Sequence, residues 1–242
     1  MDAMHCLDLG VYQSICASCL LELAREGAWA GGSIDECFYS AHADYKAWCR
    51  GRRLPPCPRF EHRKICPHND YPAFTQQTAK AAMTKHLVHW MYSVLRRPGI
   101  SQGGHGALRF ALFDSWVRFE DICTRNNRFV ADADIPNLDT AVGDALLYQS
   151  VLHSEALESN ELKWHILCKN HMSQHLATDF VRSTLVNPRR VTNYSDEDFV
   201  GKVKRIMSSC HGATAGKMGM YRYIILAGTR WWGRLAVLRG LH

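Results

Sequence analysis

Residues 79–95 read Ala79-Lys80-Ala81-Ala82-Met83-Thr84-Lys85-His86-Leu87-Val88-His89-Trp90-Met91-Tyr92-Ser93-Val94-Leu95. Apolar side chains recur at helical spacing and fall on more than one side of the helix they would form. Such a helix needs cover all round, so the stretch predicts a buried element among other helices. Pro98-Gly99 ends it, and Gly103, Gly104 and Gly106 read as a flexible joint before a helix over 107–123. Beyond a polar, turn-rich stretch over 126–139, helices are expected over about 138–160 and 162–180, until Asn187-Pro188 breaks the run. Ser195 then has the character of an N-cap with Asp198 three residues on, opening a helix that stops before Gly212. A last helix over 214–238 carries Tyr221, Tyr223, Trp231 and Trp232.

Working back toward the start, residues 50–73 hold Pro55, Pro56, Pro58, Pro67 and Pro72, a density that excludes a helix interior and predicts a loop. Residues 33–49 read as a helix with Ile34, Phe38, Ala41 and Tyr45 along one side, and 2–27 as a short lead-in to a helix through Val11, Ile15, Cys19, Leu20 and Leu23. No two-residue alternation persists beyond four or five residues. The expected fold is mainly α, a helical bundle with at most a rudimentary sheet at 2–10 and 190–194.

Across 242 residues, 47% apolar and 21% charged side chains exclude a disordered chain and allow one or two domains with a real core. No window of about 18 uninterrupted apolar residues suggests a membrane span. Residues 1–30 lack the pattern of a secretory signal, so the ten cysteines read as thiols or ligands in a reducing, intracellular compartment. The net charge of +6 is unevenly spread: residues 181–242 carry eleven bases against three acids. A basic C-terminal quarter suits a polyanion such as DNA, and equally a solvated face.

Four groups could carry chemistry. Asp2 precedes an apolar segment and a helix, a place where a carboxylate is held firmly yet within reach of a metal. It is also what an ordinary terminal surface acid looks like. Asp196-Glu197-Asp198 would open a helix, where acids suit the dipole; one of them, Glu197 by position, is a candidate to turn toward a metal. His171 and His175, four apart on one helical face, suit a shared ion but also plain hydrogen bonding. Cys16 and Cys19 form a Cys-x-x-Cys that needs further ligands to close a zinc site, and the two histidines would complete it; packing of small thiols is the alternative. A fifth group, Cys49, Cys57, His62, Cys66 and His68, matches no defensible zinc spacing. Asp114, Glu120 and Asp121 read as a solvated face.

Taken in order, these pieces resemble part of a CACTA-type (En/Spm-like) DDE transposase with an RNase H-like core. Asp2-Ala3-Met4-His5 is similar to that family's segment at its second catalytic aspartate, Cys16 and Cys19 to its Cys-x-x-Cys pair, and Lys169, His171 and His175 to its Lys-x-His-x-x-x-His helix. Asp196-Glu197-Asp198-Phe199-Val200-Gly201-Lys202 is similar to the segment of its last acid. The resemblance implies catalytic, Mg²⁺-holding roles for Asp2 and Glu197, with Asp196 or Asp198 as substitutes for the latter. It further implies a Zn²⁺ site at Cys16, Cys19, His171 and His175, DNA as partner and the nucleus as compartment. The first catalytic aspartate of the family lies on a strand upstream of the second, and this sequence holds no counterpart. Two acids without a third should hold two Mg²⁺ poorly. The expectation is a catalytically incomplete remnant: a residual core strand and helix over 1–27, a helical insert over 28–160, and a C-terminal segment over 161–242. In that last segment Lys202, Lys204, Arg205, Arg222, Arg230 and Arg234, with Trp231 and Trp232, would meet DNA. Two other readings are a non-enzymatic helical DNA-binding or interaction protein, and an active metal nuclease in which Asp8, Asp114 or Asp121 replaces the missing acid.

Overall fold

The computed structural model describes residues 2–192, 203–214 and 216–225, which fall into two units, 1–192 and 193–242. The first is a helical bundle. A π-wound turn, Met4–Val11, runs straight into α1 (Tyr12–Arg25), followed by α2 (Ile34–Gly51), the single turn α3 (His62–Ile65), α4 (Ala81–Leu95), α5 (Gly103–Arg125), α6 (Ile135–Glu158), α7 (Cys168–His175) and α8 (Val181–Thr184). The fold is mainly α: one isolated antiparallel bridge, Phe129 to Val186, is the only extended pairing among the described residues.

The stretch over 79–95 forms α4 and is buried as expected, with Thr84, Leu87, Val88, Trp90, Met91, Val94 and Leu95 enclosed. It packs against α1, α2, α5 and the π-wound turn, while α5 and α6 lie together as the longest pair. Trp90 sits where these layers meet, stacked on Trp29 and edge-on to Tyr45. The continuous run Met4–Arg25 is long and apolar enough by length and composition to cross a membrane, but 89% of its apolar window is buried inside the protein, so it is a core helix.

Local chemistry explains the boundaries. Ser33 accepts from the Glu36 amide and Glu36 reaches back to Gly32, a reciprocal cap that starts α2. Asn187 closes the other end of the bundle: its side-chain amide donates to the carbonyls of Cys123, Asn126 and Asn127 at the end of α5.

Three expectations change. The glycines at 103, 104 and 106 are the first turn of α5 rather than a joint. A side chain at Gly106 would lie 2.9 Å from the Ser101 backbone, so small residues are needed for close approach. Residues 161–167 are not helical, because Trp164 and Lys163 are drawn onto Glu22 of α1. Residues 4–11 are helical, not a strand: Met4, Cys6, Leu7, Asp8, Gly10 and Val11 are all buried, a pattern that alternation across a sheet cannot produce.

In the second unit, residues 203–208 and 216–225 are helical. They approach at Gly219, where a Cβ would fall on the sulfur of Met207. Ser195, Asp198, Trp231 and Trp232 lie outside the described residues.

Candidate functional site

The π-wound turn at Met4–Val11 organises the region. Leu9 departs from helical geometry (φ −103°, ψ 25°). Lys169, from α7, donates to the Leu9 carbonyl at 2.6 Å. Gly10 makes the approach possible, because a Cβ there would stand 2.4 Å from the Lys169 side chain. Two motifs 160 residues apart in sequence are thus packed on one another.

Asp2 begins this turn. One of its oxygens accepts from the Met4 amide at 3.0 Å and the other contacts Nδ1 of His5, so the carboxylate caps its own helix. The Ala3 amide donates to the Val191 carbonyl at 3.1 Å.

Below the turn lies an ion cluster that the sequence did not announce. Asp8 and Glu120 are fully buried, and Arg189 sits between them. Its Nη1 and Nη2 donate to the two oxygens of Asp8 at 2.7 and 3.1 Å. Its Nε donates to Glu120 at 3.0 Å and Nη2 to the other Glu120 oxygen. Lys85 of α4 stands 3.0 Å from Glu120, and the Tyr12 hydroxyl donates to it at 2.8 Å. The four formal charges sum to zero, which is what burial demands. Burial alone would raise the Glu120 carboxyl, but the charges of Arg189 and Lys85 outweigh it and hold the group at about 2. Tyr12 is pushed well up by burial and by the Glu120 charge.

A second cluster surrounds Glu22, buried on α1. It accepts from Lys163 (2.6 Å), the Trp164 indole (2.9 Å), His105 (2.9 Å) and Arg109 (3.2 Å). Against burial, His105, Lys163 and Trp164 bring Glu22 down to about 2. Arg109 forks both oxygens of Glu26 at 2.7 Å, and His105 reaches Glu155 at 2.6 Å.

These positions redistribute the sequence-based candidates. Cys16 and Cys19 are fully buried, and burial pushes both thiols well up. His171 and His175 lie at the surface of α7, with their Nε2 atoms 2.9 Å apart and Asp179 at 2.5 Å from Nδ1 of His175. The proposed zinc quartet is therefore not assembled, and no three His, Cys, Asp or Glu side chains among the described residues converge as a metal site. Glu197, the partner assigned to Asp2, lies outside the described residues, as do Lys202, Arg230 and Arg234. Among the described acids near the chain start, Asp2 caps a helix and Asp8 is bonded by Arg189. Asp114 accepts from Tyr92 and pairs with Arg118, and Asp121 is exposed on α5. Lys204, Arg205 and Arg222 are exposed, and Arg222 binds Ser209 through its backbone carbonyl and hydroxyl.

Comparison with known proteins returns nothing to set beside this arrangement: no family model, no curated protein and no solved structure matches the chain.

Proposed function

We propose that the chain is a DNA-binding protein of CACTA-type transposase descent that no longer completes a two-metal active site. The observation that supports the descent is the seating of Lys169 on the carbonyl of Leu9. It joins the helix bearing Lys169, His171 and His175 to the segment opened by Asp2, and those are two of the motifs on which the resemblance rests. The loss of catalysis rests on carboxylate use. Asp8, the acid nearest in sequence to Asp2 and the substitute in the nuclease reading, gives both oxygens to a buried arginine. Glu120 is neutralised in the same cluster. An Mg²⁺ would have to displace a guanidinium that is itself locked by burial.

DNA contact is assigned to the basic residues of the second unit, Lys202, Lys204, Arg205, Arg222, Arg230 and Arg234. Arg189, counted with them by sequence, is an internal counterion and drops out. Arg182 pairs with Asp139.

Fluorescence anisotropy of a labelled duplex, titrated with the full chain across a salt series, tests the reading. Binding with a slope of log affinity against log salt of about −3 or steeper is the expected result, since each neutralised phosphate contributes about −0.9. A flat slope or no binding at low salt overturns the DNA assignment. Cleavage of the duplex with Mg²⁺ or Mn²⁺, abolished by Asp2→Ala, overturns the loss of catalysis.

A further inference from the structure

The densest positive charge in the first unit lies away from the clusters described above, at the end of α2 and in the loop after it. Residues 46–64 hold Lys46, Arg50, Arg52, Arg53, Arg59, Arg63 and Lys64 against Glu61 alone. That is a net +6 in nineteen residues, whereas the rest of 1–192 sums to −5. All seven bases are exposed.

The fold gathers them around one helix. After α2 the chain turns back, with the Leu54 amide donating to the Cys49 carbonyl at 3.0 Å, and then runs along the helix it has just left. His42 contacts the Cys57 carbonyl at 3.1 Å, Phe60 packs on Tyr45 and His42, and His62 meets Phe38 edge-on. The prolines at 55, 56 and 58 suit this extended return, which needs no internal hydrogen bonds. Arg59 consequently lies beside the middle of α2, and Arg50 and Arg52 at its end.

Two of the arginines are held in place by aromatic rings. The Arg52 guanidinium lies 4.2 Å from the Trp48 ring centre and that of Arg59 3.0 Å from Tyr39. Stacking fixes the plane of the fork while leaving its edge N–H groups to hydrogen-bond outward. Trp48 and Tyr39 are nine residues apart, two and a half turns of α2, so their rings stand on opposite flanks of the helix; Tyr39 shares its flank with Lys46 and Arg50, seven and eleven residues on. Arg59, Lys46 and Arg50 therefore line one flank over about 16 Å of axis, a length of about four to five phosphates of one strand at about 3.4 Å of rise each. Acids border that flank at Asp35 and Glu61, and Glu61 is held by Lys64 at 2.8 Å.

Helix-end bases also suit the dipole of α2, which accounts for Arg50. It does not account for Arg59 and Arg63, which lie in the returning loop and the single turn after it.

We infer that residues 46–64 form a second nucleic-acid-binding surface, which grips the phosphate backbone through Lys46, Arg50 and the stacked Arg59 on one flank of α2, with Arg52, Arg53 and Arg63 in the turns around it. The favoured partner is a nucleic acid rather than an anionic membrane. Five of the seven bases are arginine, whose fork fits phosphate oxygens, and the exposed positions between them are Ala47, Gly51, three prolines and Glu61, not the large apolar side chains a lipid interface requires. The inference extends the DNA reading to the first unit and rests on it for the choice of polyanion.

The test uses the full chain and a labelled 20-base-pair duplex, comparing Arg50→Gln/Arg52→Gln/Arg59→Gln/Arg63→Gln with Lys204→Gln/Arg205→Gln/Arg222→Gln. The four-site variant is expected to bind at least about 10-fold more weakly at ~0.1 M salt, with a salt slope shallower by about 3. Unchanged circular dichroism checks its fold. Trypsin cleavage after Arg52 and Arg53 of the unmodified protein should be suppressed by the duplex, which gives a readout independent of any variant. Full binding by the four-site variant, or cleavage unaffected by duplex, overturns this inference and leaves the DNA reading standing on the second unit. Weakening confined to the four-site variant supports this surface and removes the second-unit assignment. Absence of duplex binding by the wild type overturns both, and loss of binding to phosphatidylserine vesicles in the four-site variant would then identify a membrane surface instead.

Discussion

At the scale of single residues, the molecule is held by side chains whose value depends on being paired. Arg189→Met takes the guanidinium from buried Asp8 and leaves Glu120 with Lys85 alone, a change expected to remove about 3 kcal/mol of stability. The denaturant midpoint measures it, and a midpoint within experimental error of the wild type would show that the cluster opens to water. Gly10→Ala drives a methyl group into Lys169 and should cost about 1–3 kcal/mol. Combined with Lys169→Ala the two losses should not add, because the clash is gone once the lysine is shortened. Additive losses would separate Gly10 from Lys169. Some of this was readable in the sequence. An acid inside Leu7-Asp8-Leu9, or Glu22 within an otherwise apolar Ile15–Ala24, can only be tolerated with a partner. Glu120 falls on the same helical stripe as Phe113, Trp116 and Cys123, a spacing that argues against the solvated face assigned to it. The partners were not readable, since Arg189 is 181 positions from Asp8 and nothing local distinguishes it from the bases around it.

Elements were more legible than residues, because helical periodicity is a local signal. The stretches that became α1, α2, α4, α5 and α6 were located by spacing and by their stops. Where the reading slipped, a tertiary contact decided the outcome. Glycines read as a joint became the first turn of α5, and at Gly106 the Ser101 backbone passes too close for a larger side chain. The expected helix over 162–180 starts only at Cys168, because Glu22 holds Lys163 and Trp164 in a non-helical path that bends at Trp164 (φ 56°). It follows that Glu22→Gln, which keeps the shape but removes the charge, should loosen that path. Faster amide exchange over 161–167 with the rest of α1 protected is the expected pattern, and uniform protection would assign the path to backbone preference instead. At the head of α2, Ser33→Ala removes the side chain that accepts from the Glu36 amide. A loss of about 1 kcal/mol in thermal or chemical unfolding is expected there.

For the whole molecule, stability should follow pH with two limbs of opposite sign. Glu22 and Glu120 lie at about 2 in the folded protein against an ordinary 4.5. The unfolded chain therefore takes up their protons first as the solution is acidified. Their contribution, about 3 kcal/mol each, is complete above about pH 4.5 and is lost as pH falls toward 2. His105 has the reverse sense. Its bonds to Glu22 and then Glu155 raise it above 6.5, so what it adds is complete below that value and lost as pH rises through its folded one. Urea midpoints from pH 2 to 9 should rise steeply on the acid side and decline gently above neutrality. An acid limb unchanged by Glu22→Gln would sink the assignment. The candidate site was less legible than the bundle because its motifs report only sequence order. Cys16 and Cys19 share a helix face with the core, whereas His171 and His175 share one with solvent, and order along the chain does not distinguish those outcomes.

The reach of Arg189 also bears on how the protein is born. During synthesis the turn at Met4–Val11 leaves the ribosome before the rest of the bundle, and the guanidinium that bonds Asp8 follows 181 residues later. Until then the first helix settles into its final environment only by burying that carboxylate short of its guanidinium, which disfavours early closure of the first helices. Nascent chains halted before residue 189 should stay protease-sensitive and bind chaperones, and release of that one side chain should close the whole assembly at once.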